Sequence, residues 1–170
     1  MKKIICCLIG LMLAYPLTSA SAIDASPHGQ LRVDVVASLS KDYIKNPALS
    51  AHKDTIQIVP LVETVPDQIF YVVVMVTGYE LNDKSMTDLT GGFVLQNPDG
   101  TLMFNAKDVF SHKKNVVHLE GLVMMDPSIK LILEKKDQRG TYIFRATVKD
   151  NVSGKIVNGE YSFVLVDNKI

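Results

Sequence analysis

"DQRGTYIFRATVKDNVSG", residues Asp137 to Gly154, alternates like a strand with two unlike faces. Tyr142, Phe144, Ala146 and Val148 fall on one side, while Thr141, Arg145, Thr147 and Lys149 fall on the other with Ile143. A strand turns successive side chains to opposite faces, whereas a helix would group residues three and four apart. The first set is therefore expected to enter a core against a facing sheet, where each large side chain contributes at most about 1.5–3 kcal/mol. Asp150 to Gly154 then reads as a turn, rich in residues whose own side chains bend the chain.

The same period recurs upstream. Leu31 to Ala37 places Leu31, Val33, Val35 and Ala37 opposite Arg32 and Asp34. Gln68 to Tyr79 is apolar on both parities and rich in valine, as expected of a central strand covered on both faces. Thr55 to Val62 reads as a strand interrupted at Pro60, which has no N–H to donate and so marks an edge. Gly91 to Asn105 forms a hairpin around Asn97-Pro98-Asp99-Gly100, where proline presets one dihedral and glycine accepts a positive φ. Ala106 to Asn115 reads as a polar connection, and Val116 to Met125 and Ile129 to Glu134 as strands around Asp126-Pro127-Ser128. Glu160 to Val166 is the last strand, and Ser38 to Asp54 a loop with one short helical turn after Ser40. Short strands with turn signals and almost no helical period point to a sandwich or barrel.

A resemblance attaches to the opening stretch. Asp137, Gly140, Tyr142 and Phe144 give D-x-x-G-x-Y-x-F, followed by V-x-D and a turn ending S-G. This resembles the penultimate strand of immunoglobulin-like sandwiches in exported bacterial proteins, and the upstream NPDG hairpin is a common companion. The likeness covers the C-terminal half and marks a fold style. It departs from the antibody pattern: the acid stands one position further from the tyrosine, Phe144 takes the place of the second cysteine, and there is no tryptophan. The resemblance implies a structural role for Tyr142, a tyrosine corner whose hydroxyl bonds to backbone a few residues upstream, with Asp137, Gly140 and Phe144 as its structural companions.

Residues 1–22 read as a signal peptide. Lys2 and Lys3 precede the apolar run Ile4 to Tyr15, Pro16 breaks it, and Ala20-Ser21-Ala22 offers a small-x-small cleavage pattern. Cys6 and Cys7, the chain's 2 cysteines, both fall in this leader. A processed chain would thus have no disulfide framework, thiolate metal site or cysteine nucleophile. Removing 22 of the 170 residues leaves 148, and losing Lys2 and Lys3 takes 18 basic residues to 16 against 18 acidic. That near-neutral balance draws the chain toward neither nucleic acid nor an anionic membrane. No further apolar run follows that could span a bilayer.

Candidate chemistry is sparse. His28, His52, His112 and His118 are widely separated, without the paired spacings that preorganise a metal. His118, Met103 and Met124 are a conceivable imidazole and thioether set for Cu(I), but strand methionine is ordinarily core filler. No serine stands in an activated motif. Glu80, Asp83, Asp88 and Asp99 lie in loops or turns, where carboxylates are solvated. Two basic loops, Lys107 with His112-Lys113-Lys114 and Lys135-Lys136 with Arg139, would form an anion-facing patch only at one end of the fold.

These observations predict an all-β protein: an arm over residues 23–30, then one antiparallel immunoglobulin-like or fibronectin III-like sandwich of about 7–9 strands over residues 31–170. The expected localisation is the periplasm or the outside of the cell. The expected role is that of a non-catalytic binding or accessory module with no catalytic residue and no cofactor. It would contact an envelope or host protein partner through loops, residues 80–90 first, or through a sheet edge. A periplasmic small-ligand or copper carrier is the alternative.

Overall fold

The computed structural model describes residues 29–40, 58–115 and 121–168. The leader, its cleavage position, most of the arm, the helical turn after Ser40 and residues 116–120 lie outside the described residues. Among those described there is no helix, and nine strands form two sheets.

In the four-stranded sheet, β1 (Arg32–Ser38) runs antiparallel to β3 (Ile69–Thr77), with Arg32 opposite Thr77 and Ser38 opposite Tyr71. The other side of β3 is shared by β6 (Val123–Met124) and β7 (Ile129–Ile132), both antiparallel to it. The second sheet has the order β2 (Glu63–Thr64), β9 (Ile156–Leu165), β8 (Gly140–Asp150), β4 (Leu89–Gln96), β5 (Leu102–His112).

The alternation of Tyr142, Phe144, Ala146 and Val148 is realised in β8, where all four are fully buried. They face Val33, Val35, Phe70, Val72, Val74 and Val76 of the other sheet in one apolar core. Phe163 of β9 lies between the layers, stacked on Tyr142 at 5.7 Å between centroids and edge-on to Phe70 at 4.9 Å. A second stack joins Phe93 to Phe144 at 4.7 Å. Such aromatic pairs add about 0.5–1.5 kcal/mol each beyond their burial. The other parity of β3 enters a smaller cluster on the outer face, where Val73 and Met75 meet Val36, Ile58, Leu122 and Met124. That explains why this strand is apolar on both faces.

Three expectations are corrected. The pairing is mixed: β2 runs parallel to β9, because the chain crosses there from one sheet to the other. Leu61 N–H donates to Ala37 of β1 at 2.8 Å, and the Val62 carbonyl then accepts from Val164 of β9 at 3.0 Å. The strand read over Thr55 to Val62 is not formed in its described part, and pairing begins only at Glu63. The connection read over Ala106 to Asn115 is strand as far as His112. It looked irregular because β5 is exposed and carries a bulge, with Gly91 opposite Phe110 but Phe93 opposite Ala106.

The turn preceding β8 accounts for the motif residues. Asp137 Oδ2 accepts from Glu134 N–H at 2.7 Å, while Asp137 N–H donates back to the Glu134 carbonyl at 3.0 Å. Tyr142 Oη donates to the Gln138 carbonyl at 2.8 Å, and burial pushes the phenol pKa up, so the donor proton is retained. Gly140 has φ +131° and a Cβ there would sit 3.0 Å from Pro98, so the NPDG turn packs directly on this glycine. Tyr142→Phe is expected to lower unfolding free energy by about 1 kcal/mol, and Gly140→Ala by about 1–3 kcal/mol. Urea titrations of the chain over residues 23–170, with unchanged slope, measure both.

Candidate functional site

The two sheets differ in width. One is three strands across, β1 to β3 to β6 or β7, and the other five. Strands lie about 4.8 Å apart, so the wider sheet overhangs the narrower one. β5 is its outermost strand, and no described strand pairs with its outer side between Leu102 and Phe110. Phe104 stands opposite the fully buried Leu95, on the inner face, yet is 51% exposed, and Leu102 is 55% exposed. Phe104 sits where the covering sheet has run out, whereas Leu102, past an irregularity in the ladder and opposite Gln96, belongs to the outer face. Further along, Asp108 adopts φ +54° and the bulge carries β5 across β4. A Cβ on Gly92 would lie 2.4 Å from the Ala106 carbonyl oxygen, which is why that position is glycine.

At its far end β5 enters a polar cluster. His112 and Thr87 are buried, with His112 Nδ1 at 2.7 Å from Thr87 Oγ1. Thr87 N–H donates to the Lys114 carbonyl at 3.0 Å, and Met86 forms a bridge with Asn115. Asn82 Oδ1 accepts from the N–H groups of Lys84 and Met86. Lys113 pairs with Asp88 at 2.8 Å, and this bond, with one from Asn151, holds the Asp88 carboxyl below the usual range. Asp150 is fully buried, continuing the inward parity of β8 opposite Leu89. Its carboxylate accepts from Glu80 N–H at 3.0 Å, Ser153 Oγ at 2.6 Å and Val152 N–H at 3.0 Å. One carboxylate thus ties the β3–β4 loop to the β8–β9 turn.

Burial leaves Thr87 unable to reach a substrate, so its contact with His112 is structural. The loop over residues 80–88 is bonded down rather than open. Met103 and Met124 are not brought together: the first packs on the inter-sheet core and the second in the outer-face cluster. His118 lies outside the described residues. Among those described, no group of three or more His, Cys, Asp or Glu could hold a metal. The two basic loops sit at opposite ends, since His112 lies beside Leu89 and Asp150 while Arg139 precedes the other end of β8. Glu80 and Asp99 are turned to local work, pairing with Lys155 and closing the hairpin through Thr101.

An open depression of about 530 Å³ on the outer face of the five-stranded sheet is lined by Val94, Arg145, Thr147, Asn158, Gly159 and Glu160. Its polar groups already satisfy one another: Arg145 bonds Glu160 at 2.6 Å and Gln96 at 2.9 Å, and Thr147 bonds Asn158 at 2.7 Å. The exposed pair on β5 was missed from sequence, where "TLMFN" shows only a hairpin arm.

No family model matches the chain, and no curated protein is similar to it in sequence. Among solved structures it is similar to a family 123 glycoside hydrolase from Clostridium perfringens, with TM-score 0.44 and 12% identity over 82% of this chain and 28% of that one. An alkylpurine DNA glycosylase from Pseudomonas fluorescens, bound to DNA containing an abasic site analog, gives 0.42 and 8% over 79% and 30%. The CARDB domain of a Pyrococcus furiosus protein, in complex with di-metal ions, gives 0.39 and 13% over 85% and 95%. The chain spans less than a third of the first two proteins. At these scores no activity or ligand is taken from any of them.

Asp150→Ala is expected to cost about 1–3 kcal/mol, because the partly buried N–H groups of Glu80 and Val152 lose their acceptor. Amide exchange at Glu80 and Val152 should accelerate together. Urea denaturation and exchange mass spectrometry check the two effects.

Proposed function

We propose that this chain is an exported, non-catalytic binding or accessory module of the immunoglobulin-like kind, periplasmic or secreted, that contacts an envelope or host protein through the edge of β5. The leader read over residues 1–22 supports export. The order β9, β8, β4, β5, which can be read as the G, F, C, C′ order of variable-type immunoglobulin sheets, and the tyrosine at the start of the penultimate strand support the immunoglobulin-like reading.

The observation that carries the proposal is the exposure of Leu102 and Phe104 on an outermost strand. The core gains little from either residue as it stands. An added strand would take up the outer main-chain groups of β5 and cover the overhanging ring. The bulge at Asp108 confines that pairing to Leu102 through Ala106, since bulges interrupt edge ladders.

The processed domain, used as bait in envelope extract, is expected to capture one partner stoichiometrically. Phe104→Lys and Leu102→Lys should each reduce capture about tenfold or more, while unfolding free energy changes by less than about 0.5 kcal/mol. A photocrosslinker at position 104 should join the same partner. Equal capture by both variants would remove the edge from the proposal. A carrier role would instead appear as stoichiometric Cu(I) or Zn(II) retained by the processed protein and lost in His118→Ala and Met103→Ala; the expected result is no such retention.

A further inference from the structure

We propose that His112 is a proton-operated latch: its neutral imidazole holds residues Asn82 to Asp88 against the end of β5, and protonation releases that loop. His112 is 5% exposed and Thr87 0%, so their 2.7 Å contact lies inside the protein. Around it the loop is also fastened by Thr87 N–H to the Lys114 carbonyl at 3.0 Å, by Lys114 N–H to Thr87 Oγ1 at 3.3 Å, by the bridge between Met86 and Asn115 and by the ion pair of Lys113 with Asp88. The ring can close this clasp without charge, either accepting from Thr87 or donating to it. A charged ring would keep the contact but would have to be buried to do so.

Two charges act on the ring. Lys114 opposes a second cation, and Asp126 favours one, but Asp126 is already engaged by Lys114 at 2.7 Å. The next cation, Lys113, is paired with Asp88. Burial first, and Lys114 second, hold the imidazole pKa below its ordinary value, with Asp126 working the other way. Once the loop lifts, the ring meets water and regains that ordinary value. The released state therefore binds the proton more tightly than the latched one. Above pH about 6.5 acidification changes nothing. Below it, the released fraction rises as pH falls, by at most about tenfold per pH unit for one proton. The device is independent of any partner, although it acts at the end of the strand proposed to recruit one.

Native-state amide exchange on the processed protein, corrected for intrinsic rates, tests this at about pH 7.5 and about pH 5.5. Opening at Met86, Thr87 and Asp88 should rise roughly three- to tenfold at the lower pH, with β8 amides unchanged, and His112→Gln should abolish the response. Equal opening at both pH values overturns the latch, as does a variant that responds like the parent. If the variant does not fold, an NMR titration of the parent decides. The His112 ring and the Thr87 amide should share one midpoint below about 6.5; a Thr87 amide that does not follow the ring overturns the proposal.

Discussion

The sandwich depends on the contact between Phe70 of one sheet and Phe163 of the other. The described part of the chain contains no cysteine, so its two layers are joined by side-chain packing and by backbone crossing points such as Leu61 to Ala37. Phe163 is clamped from behind by Tyr142, and Tyr142 is anchored in turn by its hydroxyl on Gln138. A single hydrogen bond at the sandwich end thus orients a ring, the ring orients its neighbour, and the neighbour meets the opposite sheet. Packing of this kind tolerates little displacement, because a gap of even half an ångström forfeits much of the attraction between facing atoms.

A five-strand layer over a three-strand layer cannot bury both of its margins. On one side the problem is solved by brevity: β2 has two residues and the chain beyond it crosses between the sheets. On the other, β5 has 11 residues, far more edge than the narrower layer can cover. The bulge and the left-handed Asp108 interrupt that edge at mid-length, and Ser111 forms an isolated bridge with Asp126, just beyond β6. What remains accessible is the first half of the strand, with its apolar residues.

The core strands were legible because period two and burial coincide in them. β1, β3, the NPDG hairpin and β8 could be read from Val33, Phe70, Pro98 and Tyr142 because each obeys a local rule of alternation or turn chemistry. The second half of β5 was not legible, since a strand bare on one edge and bulged within has no reason to alternate, and Lys107 and Asp108 read as loop. β2 was misplaced because Pro60 and the valines around it mimic a strand, whereas only long-range bonds to β9 decide where pairing begins. Of the candidate site, the loop over residues 80–88 was visible as a loop. Its bonds to Asp150 and Lys114 span 70 and 27 residues, and no local pattern announces them.

Asp150 shows how the inward row of β8 ends. Continuing the parity of Tyr142, Phe144, Ala146 and Val148 brings a carboxylate into the interior, where an apolar residue would have extended the core. A buried carboxylate is tolerable only with donors close by, and these come from the β3–β4 loop and the β8–β9 turn. The requirement pulls both connections down onto the sandwich end, so the polar cluster there is a consequence of where the hydrophobic row stops. A partner approaching this end would meet bonded loops, whereas on the flank it would meet main-chain groups of β5 with no described strand beside them. On the reading proposed above, recognition is most economically placed on the flank, and the end cluster sets the position of the strand proposed to carry it.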